Sequence, residues 1–302
     1  MKVIDICRRF YEQEAKHIIE DKFTDYVNKI AVGLVGAGSE CFGFEDELSL
    51  DHDMYAGFQL FLRKEDEEAI GFELSALYDR LPREFMGLPT EHRSRMGDGK
   101  HGVKVIGKFY RPFTGTDGAP QNWRQWLDTP SWALAQATNG EVFADPLGEF
   151  SRVREEILHG MPEDVRKKKI AAKAAIMAQS GQYNHPRCLK RGENGAAMLA
   201  ACEFVHSAAE LFFLLNRRHM PYYKWSFRAM RALPEGEPLE NALTSILCGE
   251  TTLIEETAAF FIARLRSEGL SDGSWDFLEP HAQEVQRRIE SAEIRSLHLM
   301  EG

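Results

Sequence analysis

Apolar residues recur along this chain with two periods, near 2 in parts of the first half and near 3.6 through the second, and the change of period divides it. The opening stretch carries Val3, Ile6, Cys7, Phe10, Tyr11 and Ala15 with charges between them, the spacing of an amphipathic helix. KIAVGLVGAG, residues 29–38, is an apolar run into a glycine turn and predicts a buried strand; DHDMYAGFQLFL, residues 51–62, predicts a second. Residues 65–81 open on acids and place Ile70, Phe72, Leu74, Leu77 and Leu81 in a predicted helix. Residues 102–113 alternate at Val103, Lys104 and Val105 as a third strand, which Pro112 ends. WRQWL and SWALAQAT predict short helices. Residues 140–150 predict a hairpin that turns at Asp145-Pro146-Leu147-Gly148 between Val142, Phe143 and Phe150, and it closes the first domain.

From Ser151 onward the strand signal stops. Helical periodicity follows at about 151–182, 193–217, 222–233, 238–268 and 275–300, with breaks at Asn-His-Pro, Met-Pro, Gly-Glu-Pro and Ser-Asp-Gly. The fold class expected is therefore α+β: a domain over 1–150 with a small mixed sheet and flanking helices, then an all-α helical bundle over 151–302.

Charge narrows the partners. The formal net charge is -10, and it is uneven: 17 Lys+Arg face 26 Asp+Glu in residues 1–150, against 20 and 21 in 151–302. An acidic first half repels nucleic acid and anionic membranes, so small molecules fit it better. The first helix lacks the run of a secretion signal, and no stretch reads as the roughly 18–20 apolar residues that cross a bilayer, so a cytoplasmic protein is expected. The five cysteines, Cys7, Cys41, Cys188, Cys202 and Cys248, are scattered without a C-x-x-C pair and predict reduced structural thiols. The run Arg166-Lys167-Lys168-Lys169 reads as a solvated helix face.

Chemistry concentrates in GLVGAGSECFGFEDELSLDHDM. A predicted strand runs into Gly38-Ser39, eleven residues intervene, and Asp51-His52-Asp53 opens the next strand. Residues i and i+2 of a strand share a face, so Asp51 and Asp53 can present two carboxylates to one hard cation, for which Mg2+ is suited, while His52 points away. A small-residue turn after a strand bares backbone N–H groups to phosphate oxygens, and Ser39 adds a hydroxyl.

These residues resemble the nucleotidyltransferase superfamily of DNA polymerase beta, poly(A) polymerases and the aminoglycoside nucleotidyltransferases. Its hallmark is hydrophobic-Gly-Gly/Ser, nine to thirteen residues, then Asp-x-Asp/Glu, and Gly38, Ser39, Asp51 and Asp53 match it residue by residue. The stretch RCLKRGENGAAMLAACEFVHSAAELFFLLNRRHMPYYKWSFRAMRAL looks like the helical tail of an uncharacterised bacterial family in that superfamily, so the likeness spans about residues 30–235. The resemblance implies a magnesium-bound nucleoside triphosphate and transfer of a nucleoside monophosphate to a small hydroxyl- or amino-bearing acceptor. It also implies a third carboxylate on a later strand. Lys104 stands where that acid is expected, which leaves three readings open: a weakened second metal site, a substitute acid at Asp145 or Glu141, or a nucleotide-binding regulator without turnover.

Two further segments bear on that chemistry. Residues 217–231 hold Arg217, Arg218, Lys224, Arg228 and Arg231 and no acid. Lys224 and Arg228, four apart on one helix face, are expected to grip outer phosphates, and Tyr223 to reach the base or the acceptor. Arg187, Lys190 and Arg191 extend the same positive character. Glu203 lies mid-helix among Ala201, Cys202, Phe204 and Val205, where a buried acid is a candidate general base; an exposed position or a salt bridge to Arg217 or Arg218 is the other reading.

Overall fold

The computed structural model describes residues 1–46, 55–90 and 101–302. It is an α+β protein of two compact units, Met1–Gln121 with Ala133–Gly160, and Asn122–Trp132 with Met161–Gly302.

The first unit is organised by a four-stranded sheet of order β5-β2-β1-β6. Its strands are β1 (Ala31–Leu34), β2 (Gln59–Leu62), β5 (Gly102–Val105) and β6 (Glu141–Ala144). β1 is antiparallel to both neighbours, and β5 runs parallel to β2. Every residue of β1 and β2 is buried, as continuous apolar runs at the centre of a sheet require. One face packs on the opening helix through Phe10, Tyr11, Ile19, Phe58 and Leu60, and on α4 (Lys64–Tyr78) through Ile70 and Leu74. The other face carries Phe61, stacked on Phe150 at 4.2 Å and edge-on to Phe109 at 5.2 Å.

Three expectations for this unit are corrected. The strand predicted from residue 51 is a strand from Gln59; residues 55–58 are outside it. Past Val105 the chain turns into α5 (Ile106–Thr114) with Pro112 inside it, because Ile106, Phe109, Tyr110 and Phe113 follow the helical period, and a proline two residues from the end removes one hydrogen bond there. The predicted hairpin over 140–150 is strand β6 followed by α8 (Glu149–His159): β6 pairs with β1, and Asp145 accepts the Ser151 N–H at 2.7 Å at the start of that helix. A short hairpin, β3 (Glu84–Phe85) and β4 (Leu88–Pro89), turns at Met86-Gly87, both with positive φ.

α4 buries Asp66, Ile70, Leu74 and Leu77, one face at spacings of four, four and three, and leaves Phe72 87% exposed. Two positions on from Ile70 lies about 200° round a helix, so Phe72 belongs to the solvent side. Asp66 takes its place on the buried face, held by Arg63 at 2.7 Å and Lys29 at 3.6 Å. Phe72→Ser is expected to leave stability within about 0.5 kcal/mol of wild type. Leu74→Ala should cost about 2–5 kcal/mol, and urea melts of the two variants check the pair.

The second unit is a helical bundle around α9 (Glu163–Met177), α11 (Asn194–Leu215) and α15 (Leu278–Arg287). Ala171, Ala174 and Ala175 meet Phe204, Ala208 and Phe212 in a core that Phe261, Ala282 and Val285 complete. α11 is long and apolar enough by composition to cross a membrane, and most of it is buried inside the unit as a core helix is. The predicted segment 151–182 divides at Gly160-Met161-Pro162, and Asn184-His185-Pro186 continues helical into α10 (His185–Lys190). The predicted 238–268 segment is two helices, α13 (Gly236–Leu247) and α14 (Leu253–Ser267), parted at Gly249, φ 103°. The last segment is likewise two, α15 and α16 (Ala292–Arg295).

The Arg-Lys-Lys-Lys run is the plainest correction, because it is not a solvated face. Lys168 is 0% exposed, and Arg166 and Lys169 are buried. Backbone carbonyls draw the charges inward: the Lys168 ammonium donates to His298 O at 2.8 Å, Leu299 O at 2.9 Å and Gln286 Oε1 at 3.1 Å. Lys169 donates to Thr129 O at 3.2 Å, and Arg166 to Leu214 O at 3.2 Å.

Candidate functional site

Of the sequence-predicted site residues, Gly38 and Ser39 stand together at the end of β1, and Asp51, His52 and Asp53 lie outside the described residues. β1 leaves the sheet at Leu34 and reaches α3 (Ser39–Phe42) through a turn in which Gly36 has φ 98° and Gly38 φ 125°, ψ 151°. That last conformation is open to glycine alone, so Gly38 is fixed by the backbone path.

The turn is anchored from below by polar groups that the sequence reading did not single out. The buried amide of Gln59 accepts the Val35 N–H at 3.0 Å and donates to Val35 O at 2.9 Å. Asn139 accepts the Gly36 N–H at 2.9 Å on its side-chain oxygen. Arg154, from α8, donates to Asn139 O at 2.6 Å and Gly140 O at 2.9 Å, and burial lowers its guanidinium below the usual arginine value. The Gly140 N–H donates to Cys41 O at 2.8 Å, tying the other side of the turn. Two of the anchors are lone polar residues beside apolar ones, Gln59 within FQLFL and Arg154 beside Phe150, Val153 and Ile157, and Asn139 lies in the connection before β6. Among the described residues no hydrogen bond takes up the Gly38 or Ser39 amide.

Register sorts the acids proposed in place of Lys104. Glu141 pairs across from Leu34, at the turn end of the sheet, and its carboxylate is bonded by Arg8. Asp145 follows Ala144, which pairs with Val32, and so leaves the sheet toward the other end, where it caps α8. Lys104 pairs with Phe61, itself opposite Ala31, the first residue of β1. Of the three, Glu141 alone is at the level of the turn. Among the described residues no group of three or more His, Cys, Asp or Glu side chains is arranged to hold a metal ion.

The remaining candidates belong to the second unit. Tyr223, Lys224 and Arg228 lie on α12 (Tyr223–Met230), and all three are exposed. Tyr223 packs on Tyr222 at 4.4 Å, which meets Trp132 edge-on at 6.3 Å. Arg187 lies over the Tyr183 ring at 4.7 Å. Glu203 is exposed on α11 between exposed Cys202 and buried Phe204, so the burial on which its candidacy as a base depended does not hold. His185 is buried, and desolvation lowers its pKa. Cys7 and Cys41 are buried thiols, while Cys202 and Cys248 are exposed.

A family model described as a domain of unknown function (DUF4037) matches residues 126–226, about a third of the chain, beginning after the Gly38-Ser39 turn. Among solved structures, a nucleotidyltransferase-like protein from Exiguobacterium sibiricum 255-15 is similar over 86% of this chain and 81% of its own, at 13% identity and a TM-score of 0.31. No curated protein matches.

Proposed function

We propose that the chain is a nucleotidyltransferase, transferring a nucleoside monophosphate from a magnesium-bound nucleoside triphosphate to a small hydroxyl- or amino-bearing acceptor with release of pyrophosphate. The observation that carries this reading is the turn after β1: a glycine-only conformation at Gly38, two open amides and the Ser39 hydroxyl, set at the sheet end by Gln59, Asn139 and Arg154. Such a turn suits phosphate oxygens, and the Asp51-x-Asp53 pair that precedes β2 supplies the hard oxygens magnesium prefers. When bound, magnesium offsets the charge of the triphosphate and favours the deprotonated acceptor. The turn holds the phosphates still, and the acceptor atom displaces pyrophosphate in line at the α-phosphorus. A second reading, a nucleotide-binding regulator with a degenerate metal site, is favoured by the state of the acids: Lys104 lies away from the turn, and Glu141, at its level, is already bonded by Arg8.

Magnesium and a nucleoside triphosphate together should raise the Tm, by about 2.7 kcal/mol of added stability at a hundredfold excess over Kd. Asp51→Asn and Asp53→Asn should each abolish the metal-dependent part of that shift and leave the ligand-free melt unchanged. Pyrophosphate release from each triphosphate, with and without acceptor pools, separates the readings, because a regulator binds nucleotide and releases none. Unchanged shifts in both Asp variants would refute the metal assignment.

A further inference from the structure

We propose that the first unit carries a second anion site, at the opposite end of the sheet from the Gly38-Ser39 turn, built for a phosphate-bearing small molecule. The inference stands apart from the nucleotidyl-transfer reading, since it uses none of those residues.

The topology places it. β1 runs toward the turn, β2 runs back, and β5 runs parallel to β2 with Leu62 opposite Val105. Arg63 and Ile106, the next residues of each strand, therefore emerge together at the far end. Four residues at about 3.3 Å each put roughly 13 Å between the two ends, so one phosphate cannot touch both. Between the first turns of α4, α5 and α8 lies a cavity of about 590 Å³, a volume suited to a small-molecule ligand.

Its charge is opposite to that of the chain. Five cations line it, Arg63, Lys64, Lys108, Arg111 and Arg152, against three acids, Glu65, Asp117 and Glu149, in a protein of net charge -10. The acids are already engaged. Glu65 and Glu149 lie 3.4 and 3.8 Å from Arg63, and Asp117 accepts from Arg111 Nε and Nη2, both at 2.7 Å. Arg152 pairs with Glu156, which is outside the lining. Lys64 and Lys108 are left: both are exposed, and neither makes an ion pair among the described residues. Ile106, Gly107 and Lys108 form the first turn of α5, a helix without a side-chain cap, so its first amides line the same cavity as the two lysines. Two point charges and a row of N–H donors fit the several acceptor oxygens and double charge of a phosphate better than a flat carboxylate, which the planar fork of arginine reads best.

The test is calorimetric titration of the full chain with inorganic phosphate, in EDTA and without nucleotide so that the metal-dependent site is silent. Wild type and Asp53→Asn should bind phosphate equally. The Lys64→Gln/Lys108→Gln double variant should lose roughly tenfold to a hundredfold in affinity, since each charge-assisted contact contributes about a factor of ten or more. Its melt should match wild type, both side chains being exposed; if the double variant does not fold, Lys108→Ala alone serves and should lose about tenfold. No binding by wild type at tens of millimolar phosphate would overturn the proposal. So would equal affinity in the lysine variants. Loss in Asp53→Asn alone would transfer the binding to the nucleotide site and overturn it as well.

Discussion

Lys168→Ala is expected to destabilise the second unit by about 3–5 kcal/mol, a large part of the 5–15 kcal/mol that holds a typical domain folded. The ammonium is wholly buried, and its donors go to two backbone carbonyls of the C-terminal segment and to Gln286. Truncation leaves Leu299 O and Gln286 Oε1 without that donor, at about 1–3 kcal/mol each, while His298 O keeps the Glu301 N–H at 2.9 Å, and it opens a hole where the stem packed. Lys167, one residue earlier and half-buried, gives a single bond to Arg288 O at 2.9 Å, so Lys167→Ala should cost about 1 kcal/mol. Urea melts of the two variants decide the matter, because a solvated basic face would make both substitutions nearly silent.

The same lysines give a pH dependence with a definite sign. Burial pushes the Lys168 and Lys169 ammonium groups down to about 8. In the unfolded chain a lysine titrates near ~10.4, so from about pH 8 to 10 the unfolded state binds more protons, and these two groups make stability rise with pH. The cost of keeping them charged is fully present below that window and is relieved across it. A Lys168→Met variant has one such group fewer, so its stability relative to wild type should fall between pH 8 and 10.

Why the basic run misleads as sequence, and why other features do not, is a matter of which forces are local. The central strands announce themselves because four buried residues in a row are a statement about burial, whatever they pair with. Residues 140–150 hold all the turn chemistry of a hairpin, yet Asp145 caps a helix and β6 finds its partner in β1, more than a hundred residues earlier. No neighbour of Phe150 in the sequence reports that. Lys168 was legible in principle. Ile170, Ala171, Ala172, Ala174 and Ala175 cover about 200° of the helix and Lys168 falls among them, whereas Lys169 shares the remaining side with Arg166 and Lys173. Reading four adjacent charges as a solvated face gives weight to the charge and none to the helix around it. In the candidate site, Gly38 and Ser39 could be found from their spacing to Asp51, whereas Arg154 and Asn139 act through backbone groups of a distant turn and have no spacing to follow.

Gly140→Ala should do more damage to the candidate site than any change in its exposed residues, though Gly140 touches no ligand in the proposed reaction. Its φ is +71°, and an added Cβ would sit 2.1 Å from Leu34 O and 2.8 Å from Val35 Cα. Those are backbone atoms at the end of β1, which cannot rotate aside as a side chain can, so the strand end and the turn over residues 36–39 must shift. Gly148 supplies the control. It has nearly the same φ, +70°, and nothing within 4 Å of its added Cβ, so Gly148→Ala carries the left-handed strain by itself, about 1 kcal/mol. Gly140→Ala adds the clash and should cost about 3 kcal/mol or more. The difference between the two variants in urea isolates the close approach from the backbone conformation. Function should separate them further: at a temperature where both are folded, Gly148→Ala should keep the magnesium-nucleotide Tm shift, and Gly140→Ala should lose it. If Gly140→Ala is destabilised yet keeps the full shift, the turn at Gly38-Ser39 does not hold the phosphates, and the nucleotide lies elsewhere on the chain.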